Sequence, residues 1–312
     1  MIKILMGGSP CTHWSIAQRK NRETEPIGIG WELFKNFLIA KEKYNPDYFL
    51  YENNKSISVA IRTQITKELG VEPILINSAL VSAQNRQRFY WVGKRETDGL
   101  YSQVTVEQPE DRKICLFDVL TYDDLIPYRG GEFRRIKQGL TEKCSTTWQI
   151  GKTGEGQGQA IRVYDILGKS VTLKALGGGG GAKTGLYKIG DSIFSLNAKG
   201  AEKLQTIPPG YTNFVKPSVG LTLCGNGWTV DVIAHILSHI PDIRNEPIEI
   251  LSMYDGMSCG HIALDKIGAN VIRYYATEID KYAIKTTMAN YPDTIQLGDA
   301  YQLREDGWHL PE

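Results

Sequence analysis

The sequence predicts an α/β protein: an open, mostly parallel sheet flanked by helices, with a second, smaller β-rich domain. Three observations carry this. Short apolar runs at 2–6, 47–51, 247–253, 271–276 and 295–297 each end in glycine, proline or a polar residue. Amphipathic stretches of helical period lie between them, the alternation that builds parallel sheets. The 32 glycines are concentrated between 151 and 190, in two loops set among short β segments, which marks a separate domain. At 312 residues the chain can hold two domains, read here as 1–95 with 222–312, and 96–221.

Taken in order, Ile2-Lys3-Ile4-Leu5-Met6 is a buried strand that stops at Gly7-Gly8-Ser9-Pro10, and Cys11 follows at its carboxyl end. The polar segment 12–30 is long enough for a lid or binding loop. Residues 31–43 carry Leu33, Phe34, Phe37 and Leu38 at helical spacing, and 47–51 is a second strand ending in Glu52-Asn53-Asn54. A helix at 58–69 places Ile61, Ile65 and Leu69 on one face, with Gly70 as its stop. Strands at 73–76 and 89–92 pair, enclosing Gln84-Asn85-Arg86-Gln87-Arg88. The pattern weakens over 94–147. Beyond it, 171–173 reads as a strand, 195–206 as a helix, and Gly225-Asn226-Gly227 as a turn opening a helix at 230–239. The strand at 247–253 then enters Tyr254-Asp255-Gly256-Met257-Ser258-Cys259-Gly260 and a helix through Ile267. A strand ending at Glu278, a helix at 281–290 and a strand closing on Gly298-Asp299 complete the chain.

Composition narrows the partners. A formal net charge of +1 restricts any nucleic-acid surface to a local patch. Apolar runs fall short of a membrane span and the N-terminus lacks a signal-peptide pattern, so a cytoplasmic, membrane-free setting is expected. The cysteines Cys11, Cys115, Cys144, Cys224 and Cys259 fit neither a zinc spacing nor a disulfide framework; a reducing compartment and no metal are expected.

Two constellations carry chemistry. At the C-terminal end, a strand, a glycine turn, a helix and a strand lead to Glu278, with a second acid, Asp299, at the next strand end. Glycines admit a ligand closely and a strand-end acid takes ribose hydroxyls. A full phosphate fingerprint is missing, so an adenosine ligand without pyrophosphate is favoured, and S-adenosylmethionine fits. At the N-terminal end, Cys11, Glu52, Arg86 and Arg88 fall at one rim of the sheet. Singly, each has a structural explanation as a buried cysteine, a strand-end cap or surface charge. As a set, a thiolate beside a carboxyl and guanidinium suits covalent attack on an electron-poor ring. The carboxyl protonates a ring nitrogen and arginine holds a ring oxygen.

These residues resemble the DNA cytosine-5 methyltransferases, over nearly the whole chain. Gly8-Ser9-Pro10-Cys11 is similar to the family's Pro-Cys motif, Glu52-Asn53-Asn54 to its Glu-Asn-Val motif, and Gln84 to Arg88 to its Gln-x-Arg-x-Arg motif. Residues 195–209 resemble the segment under the recognition domain. Gly225-Asn226-Gly227-Trp228 resembles the Gly-Asn motif beside the cofactor, and Ser252-Met253-Tyr254-Asp255-Gly256 the Asp-Leu-Phe-x-Gly turn. Glu278 and Asp299 match the two cofactor acids. The order departs: the cofactor half comes last, so the chain reads as circularly permuted, with 248–312 and 1–93 forming one parallel sheet. Thr12-His13-Trp14-Ser15 replaces Gln-x-Phe-Ser after the nucleophile, Asn54 replaces valine, Ser252 the first acid, and Ser258 and Cys259 the paired glycines.

The resemblance implies a Rossmann-like class I methyltransferase fold with a target-recognition domain, acting as a monomer on double-stranded DNA. It implies that Cys11 attacks C6 of a flipped cytosine, Glu52 binds N3 and the amine, Arg88 the O2 side, and that Arg86 orients Glu52. S-adenosylmethionine, leaving as S-adenosylhomocysteine, would meet Tyr254, Asp255, Gly256, Met257, Gly260, Glu278, Ile279, Asp299, Ala300, Pro10, Glu32, Asn226, Gly227 and Trp228. DNA would meet Ser15, Gln18, Arg19, Arg22, Gln84, Gln157, Gly178, Gly179, Lys183 and Thr184. Of these, Gln157 and the 177–185 loop resemble the recognition loops of GCGC-specific bacterial methyltransferases. Two other functions share the residues: an RNA cytosine-5 methyltransferase, and a non-catalytic DNA-binding regulator of the same fold.

Overall fold

A computed structural model describes residues 1–10, 12–15, 22–136, 142–155, 158–175 and 184–311. The chain begins with β1 (Ile2–Gly7), α1 (Ile29–Tyr44), β2 (Tyr48–Asn54), α2 (Val59–Leu69), β3 (Ile74–Asn77), β4 (Gln87–Arg95) and β5 (Tyr101–Gln103). It continues through α3 (Leu116–Val119), β6 (Leu125–Pro127), β7 (Arg134–Arg135), β8 (Gln149–Lys152), β9 (Arg162–Asp165), β10 (Leu186–Ile189) and β11 (Ser192–Leu196). Helices α4 (Ala198–Leu204), α5 (Pro217–Asn226) and α6 (Val230–Leu237) follow. It ends with β12 (Ile248–Met253), α7 (Cys259–Ile267), β13 (Val271–Thr277), α8 (Lys281–Asn290), β14 (Ile295–Gly298) and α9 (Ala300–Glu305).

Two compact units result. The first holds Met1–Ile76, Gln87–Gln108 and Ile233–Glu312; the second holds Asn77–Arg86 and Pro109–Val232. The division differs from the expected one at 77–86, 96–108 and 222–232. β5 keeps 101–103 with the first unit by pairing with β4, and main-chain bonds explain the other two. Asn85 N–H donates to Ser170 O and Ser170 N–H to Ala83 O, while Val230 N–H donates to Gln205 O.

The sheet of the first unit runs β14-β13-β12-β1-β2-β4-β3, with β5 beside β4. β14 through β2 are parallel, so strands from the two ends of the chain are neighbours: Ile2 to Gly7 pair residue by residue with Ile248 to Met253. The sheet is mostly parallel as expected, but β4 departs from the parallel run expected through residue 93, returning antiparallel along β2. All seven residues of β2 are buried, the pattern of a strand covered on both faces. Phe34 and Phe37 of α1 lie with their rings 5.1 and 4.9 Å from that of Tyr51. Ser58 caps α2 rather than opening it, its Oγ accepting from Ile61 N–H, and Gly70 ends the helix at φ 75°.

The second unit is built on a six-stranded sheet, β6-β11-β10-β9-β8-β7. Two expected elements differ. Residues 171–173 are not a strand; Leu173 N–H is instead taken by the side-chain oxygen of Gln84. The helix expected over 195–206 starts at Ala198, because Ser195 and Leu196 pair with β6. Gly225 and Asn226 end α5, a helix that its glycines concealed. A Cβ on Gly225 would stand 2.5 Å from Ala175 N, so the position needs glycine for closeness.

Candidate active site

Parallel strands share one carboxyl rim, and here the registers align it. Gly298, Thr277, Met253, Gly7 and Tyr51 form one row across β14, β13, β12, β1 and β2. The next residues are Asp299, Glu278, Tyr254, Gly8 and Glu52. Strand spacing of about 4.8 Å sets the Gly8 turn roughly 10 Å from the Glu278 strand.

At the β1–β2 end, Glu52 is 9 % exposed, and its Oε1 receives the Arg88 Nε at 3.0 Å. Antiparallel pairing of β4 with β2 puts Arg88 opposite Asn54 and so supplies this partner. Gly8 lies against the acid: an added Cβ would stand 2.9 Å from both Glu52 O and Oε2. Ser9 Oγ and Tyr51 Oη share a 2.6 Å hydrogen bond, and Asn53 Nδ2 donates to Ser9 O and Tyr51 Oη at 3.4 and 3.3 Å. This small network fixes the turn that leads into the exposed Pro10. Cys11, the expected nucleophile, lies outside the described residues.

The β12–β14 end is a second bonded cluster. Tyr254, Gly256 and Ser258 all take positive φ, 56°, 60° and 60°, so the turn coils tightly. Tyr254 Oη donates to Leu33 O at 2.8 Å and accepts from Asn36; burial raises the phenol's pKa. Glu278 accepts three main-chain N–H groups: Gly256 at 2.7 Å, Ile279 and Asp280 at 2.8 Å. Asp255 accepts from Tyr274 Oη at 2.7 Å and from Ser258 Oγ; burial raises its carboxyl to about 6. Asp299 caps α9 by accepting from Tyr301 N–H at 2.9 Å.

The residues here fit an adenosine ligand. Cβ atoms added at Gly256 or Gly298 would meet nothing within 4 Å, so both glycines border open space. Ile279 stands 74 % exposed beside a carboxylate that its own backbone holds fixed. Met257, Gly260 and Ala300, expected as contacts, are buried. Glu32 faces Lys35 at 2.7 Å and Arg304 at 3.6 Å, and the Lys35 hydrogen bond lowers its carboxyl.

A family model described as C-5 cytosine-specific DNA methylase matches residues 1–242. The chain belongs to the C-5 cytosine-specific DNA methylase family. It is similar to the type II methyltransferase M.HhaI of Haemophilus parahaemolyticus, 23 % identical over 254 residues that cover 78 % of this chain and 76 % of that protein. It is also similar to the orphan methyltransferase M.Rho11sI of Bacillus phage rho11s, 24 % identical over 282 residues, covering 72 % of this chain and 54 % of that one. Among solved structures, that of the S. pombe Dnmt2 methyltransferase matches with a TM-score of 0.44 and 15 % identity, covering 78 % of each chain.

For this C-5 cytosine methylase family member, several expected site residues make structural bonds of their own. Arg86, expected to orient Glu52, lies in the second unit, 4 % exposed. Its guanidinium donates to Leu173 O, Gly225 O and Gly227 O at 3.2, 3.2 and 2.9 Å. Arg88 makes an ion pair with Glu52. Gln84, expected at DNA, is fully buried, donating to Leu204 O and the Gln205 side chain and accepting from Leu173 N–H. Thr184 is 6 % exposed and accepts Leu196 N–H at 3.0 Å. Arg22 donates to Trp14 O and Ser56 O. Ser15 is half-buried, Asn226 is exposed and Trp228 half-buried. Gln18, Arg19, Gln157, Gly178, Gly179 and Lys183 lie outside the described residues.

Sequence reasoning missed the residues that brace the site. Tyr274 and Ser258 hold Asp255. Trp14 is buried, with its indole N–H on Glu23 Oε2 at 3.1 Å; Gly30 N–H reaches the same oxygen at 3.1 Å. Glu23 N–H also donates to His13 O, so the described ends of the expected lid are tied together.

Proposed function

We propose that this chain transfers a methyl group from S-adenosylmethionine to C5 of a cytosine in a specific duplex DNA site, through a covalent bond between Cys11 and C6. The observation that carries the reading is the Glu52–Arg88 pair against the Gly8 turn, on the same rim as Glu278 and Asp299. Glu278 would hold the ribose, Asp299 the adenine amine, and Tyr254 and Ile279 the adenine faces. S-adenosylmethionine, when bound, supplies an electrophilic methyl group on sulfonium. The cytosine leaves the base stack, since C5 and C6 are out of reach within it. Cys11 as thiolate adds to C6, while Glu52, held by Arg88, hydrogen-bonds N3 and moves electron density onto C5. After C5 takes the methyl group, loss of its proton and expulsion of the thiolate restore the ring double bond and free Cys11.

The second unit, with its six-stranded sheet and glycine-rich stretches, is assigned to reading the duplex, and a GCGC-like sequence is the target to try first. We read the chain as circularly permuted. What supports this is that the family match ends at residue 242 and the strands bearing Glu278 and Asp299 come after it. The pairing of β12 with β1 also supplies the neighbour that a permuted order requires.

The test is labelled methyl transfer by the purified chain to duplex DNA and to transfer RNA, with Cys11→Ser alongside. Label is expected in DNA cytosine, lost in Cys11→Ser with DNA binding retained. Label confined to RNA would move the substrate; methylation by the serine variant would end the nucleophile's assignment.

A further inference from the structure

Two buried thiols and a carboxylate of the second unit converge, and the proposed chemistry uses none of them. Cys115 is fully buried and Cys144 is 6 % exposed. Both sulfurs address the same oxygen, Asp118 Oδ2, at 3.0 and 3.9 Å. One ligand atom from each residue lies within 4.8 Å of the other two. Tetrahedral zinc, with bonds of about 2.3 Å to sulfur and about 2.1 Å to oxygen, sets its sulfur and oxygen ligands roughly 3.5 Å apart. The observed separations straddle that value.

We propose that Cys115, Asp118 and Cys144 bind one zinc-class divalent cation, with the fourth position open to water. Asp118 gives it an entry path, its side chain being 39 % exposed. Charge favours the exchange. Lys169 is 1 % exposed and has its ammonium on Ala79 O and Ser82 O; burial and the exposed Asp111 act on it most, followed by all three groups of the cluster. With two neutral thiols, Asp118 and Lys169 sum to zero. Zinc with two thiolates, the same carboxylate and the same ammonium also sums to zero. Two protons leave as one dication enters, and the buried charge is unchanged. Lys143, 3.9 Å from the other Asp118 oxygen, is exposed and screened by solvent.

Helix capping accounts for only part of the cluster. Cys115 does cap α3, with Asp118 accepting its N–H at 2.8 Å. Serine is the ordinary residue for that task, and capping has no use for Cys144. Cys144 holds a left-handed φ of 63° while delivering its sulfur to the capping acid. The ion would cross-link α3 to the turn at 144, two segments already joined through Leu116 N–H to Gly168 O and Cys144 N–H to Leu167 O.

The test is a Co2+ titration of the reduced, chelator-treated full chain, followed by Zn2+ competition. One equivalent should produce a thiolate-to-cobalt charge-transfer band and release two protons. The band should vanish in Cys115→Ser and Cys144→Ser and persist in Cys224→Ser. Affinity should rise about 100-fold per pH unit while both thiols must be deprotonated. Absence of the band, or its survival in both serine variants, overturns the site. Should the serine variants not fold, Asp118→Ala decides: affinity must fall about tenfold or more, and unchanged affinity overturns the proposal. Metal binding is read without methyl transfer, so its failure leaves the catalytic reading untouched.

Discussion

The main-chain N–H of Gly256 donates to Glu278 Oε2 at 2.7 Å, so the turn after β12 and the end of β13 are one bonded unit. Glu278→Ala removes the acceptor of three N–H groups at once and should cost about 1–3 kcal/mol. Glutamine does not repair it, because its amide nitrogen would meet Gly256 or the Ile279–Asp280 pair as donor against donor. In thermal-shift measurements both variants should melt below the parent. If Glu278 holds the ribose, both should also lose the rise in melting temperature given by S-adenosylhomocysteine. A full ligand-induced rise in Glu278→Ala would remove Glu278 from the cofactor site.

Asp255 makes stability depend on pH. Burial raises its carboxyl from 3.8 to about 6 in the folded chain. The folded state therefore keeps a proton that the unfolded state has given up between these values. Stability from this group is whole below pH ~4 and is lost as pH rises through ~6, a total of about 3 kcal/mol. Asp255→Asn carries no such proton. Urea midpoints at pH 4.5, 6 and 7.5 should show the parent losing ground to the variant as pH rises; parallel midpoints would contradict the raised carboxyl.

The Glu52–Arg88 pair is almost enclosed, with side-chain exposures of 12 % and 15 %. Arg88→Ala leaves the carboxylate without that guanidinium, and breaking so buried a pair should cost about 2–4 kcal/mol. Glu52→Gln keeps the shape and removes the acid. Methyl transfer in Glu52→Gln should fall about 100-fold or more while the fold is kept. Melting curves beside turnover separate the two effects, and near-parental turnover in Glu52→Gln would exclude Glu52 from the proton chemistry.

The first unit was legible because its signals are local. Apolar runs ending in glycine or acid gave β1, β2, β12, β13 and β14, and Ser58 and Gly70 bracket α2 as helix punctuation should. The second unit was not, because its structure depends on long-range pairing. Leu173 looks like strand but is taken by Gln84, 89 residues earlier, and Ser195 looks like helix but pairs with Ile126. The same cause hid the roles of the two arginines. Both fit the Gln-x-Arg-x-Arg motif, yet Arg88 lies in β4 beside β2 and pairs with Glu52, while Arg86 precedes that strand and donates to backbone carbonyls. Spacing likewise hid Cys115 and Cys144, 29 residues apart in sequence, which only folding brings together.

Arg86 yields a prediction that separates framework from catalysis. Its planar fork reaches three carbonyls: Leu173 O, Gly225 O and Gly227 O. Gly227 O has a second donor, Gln205 Nε2 at 3.0 Å, so it stays bonded if the arginine is lost. Lysine keeps the charge but cannot serve the other two carbonyls in one geometry. Arg86→Lys should therefore cost about 1–3 kcal/mol, the penalty of one buried carbonyl left without that donor. Arg86→Ala should cost more, since both carbonyls lose it. If Arg86 is framework, turnover per folded molecule, with the folded fraction taken from urea curves at the assay temperature, should stay near the parent in Arg86→Lys. A normal urea midpoint with turnover down tenfold would reverse the assignment and return Arg86 to the chemistry.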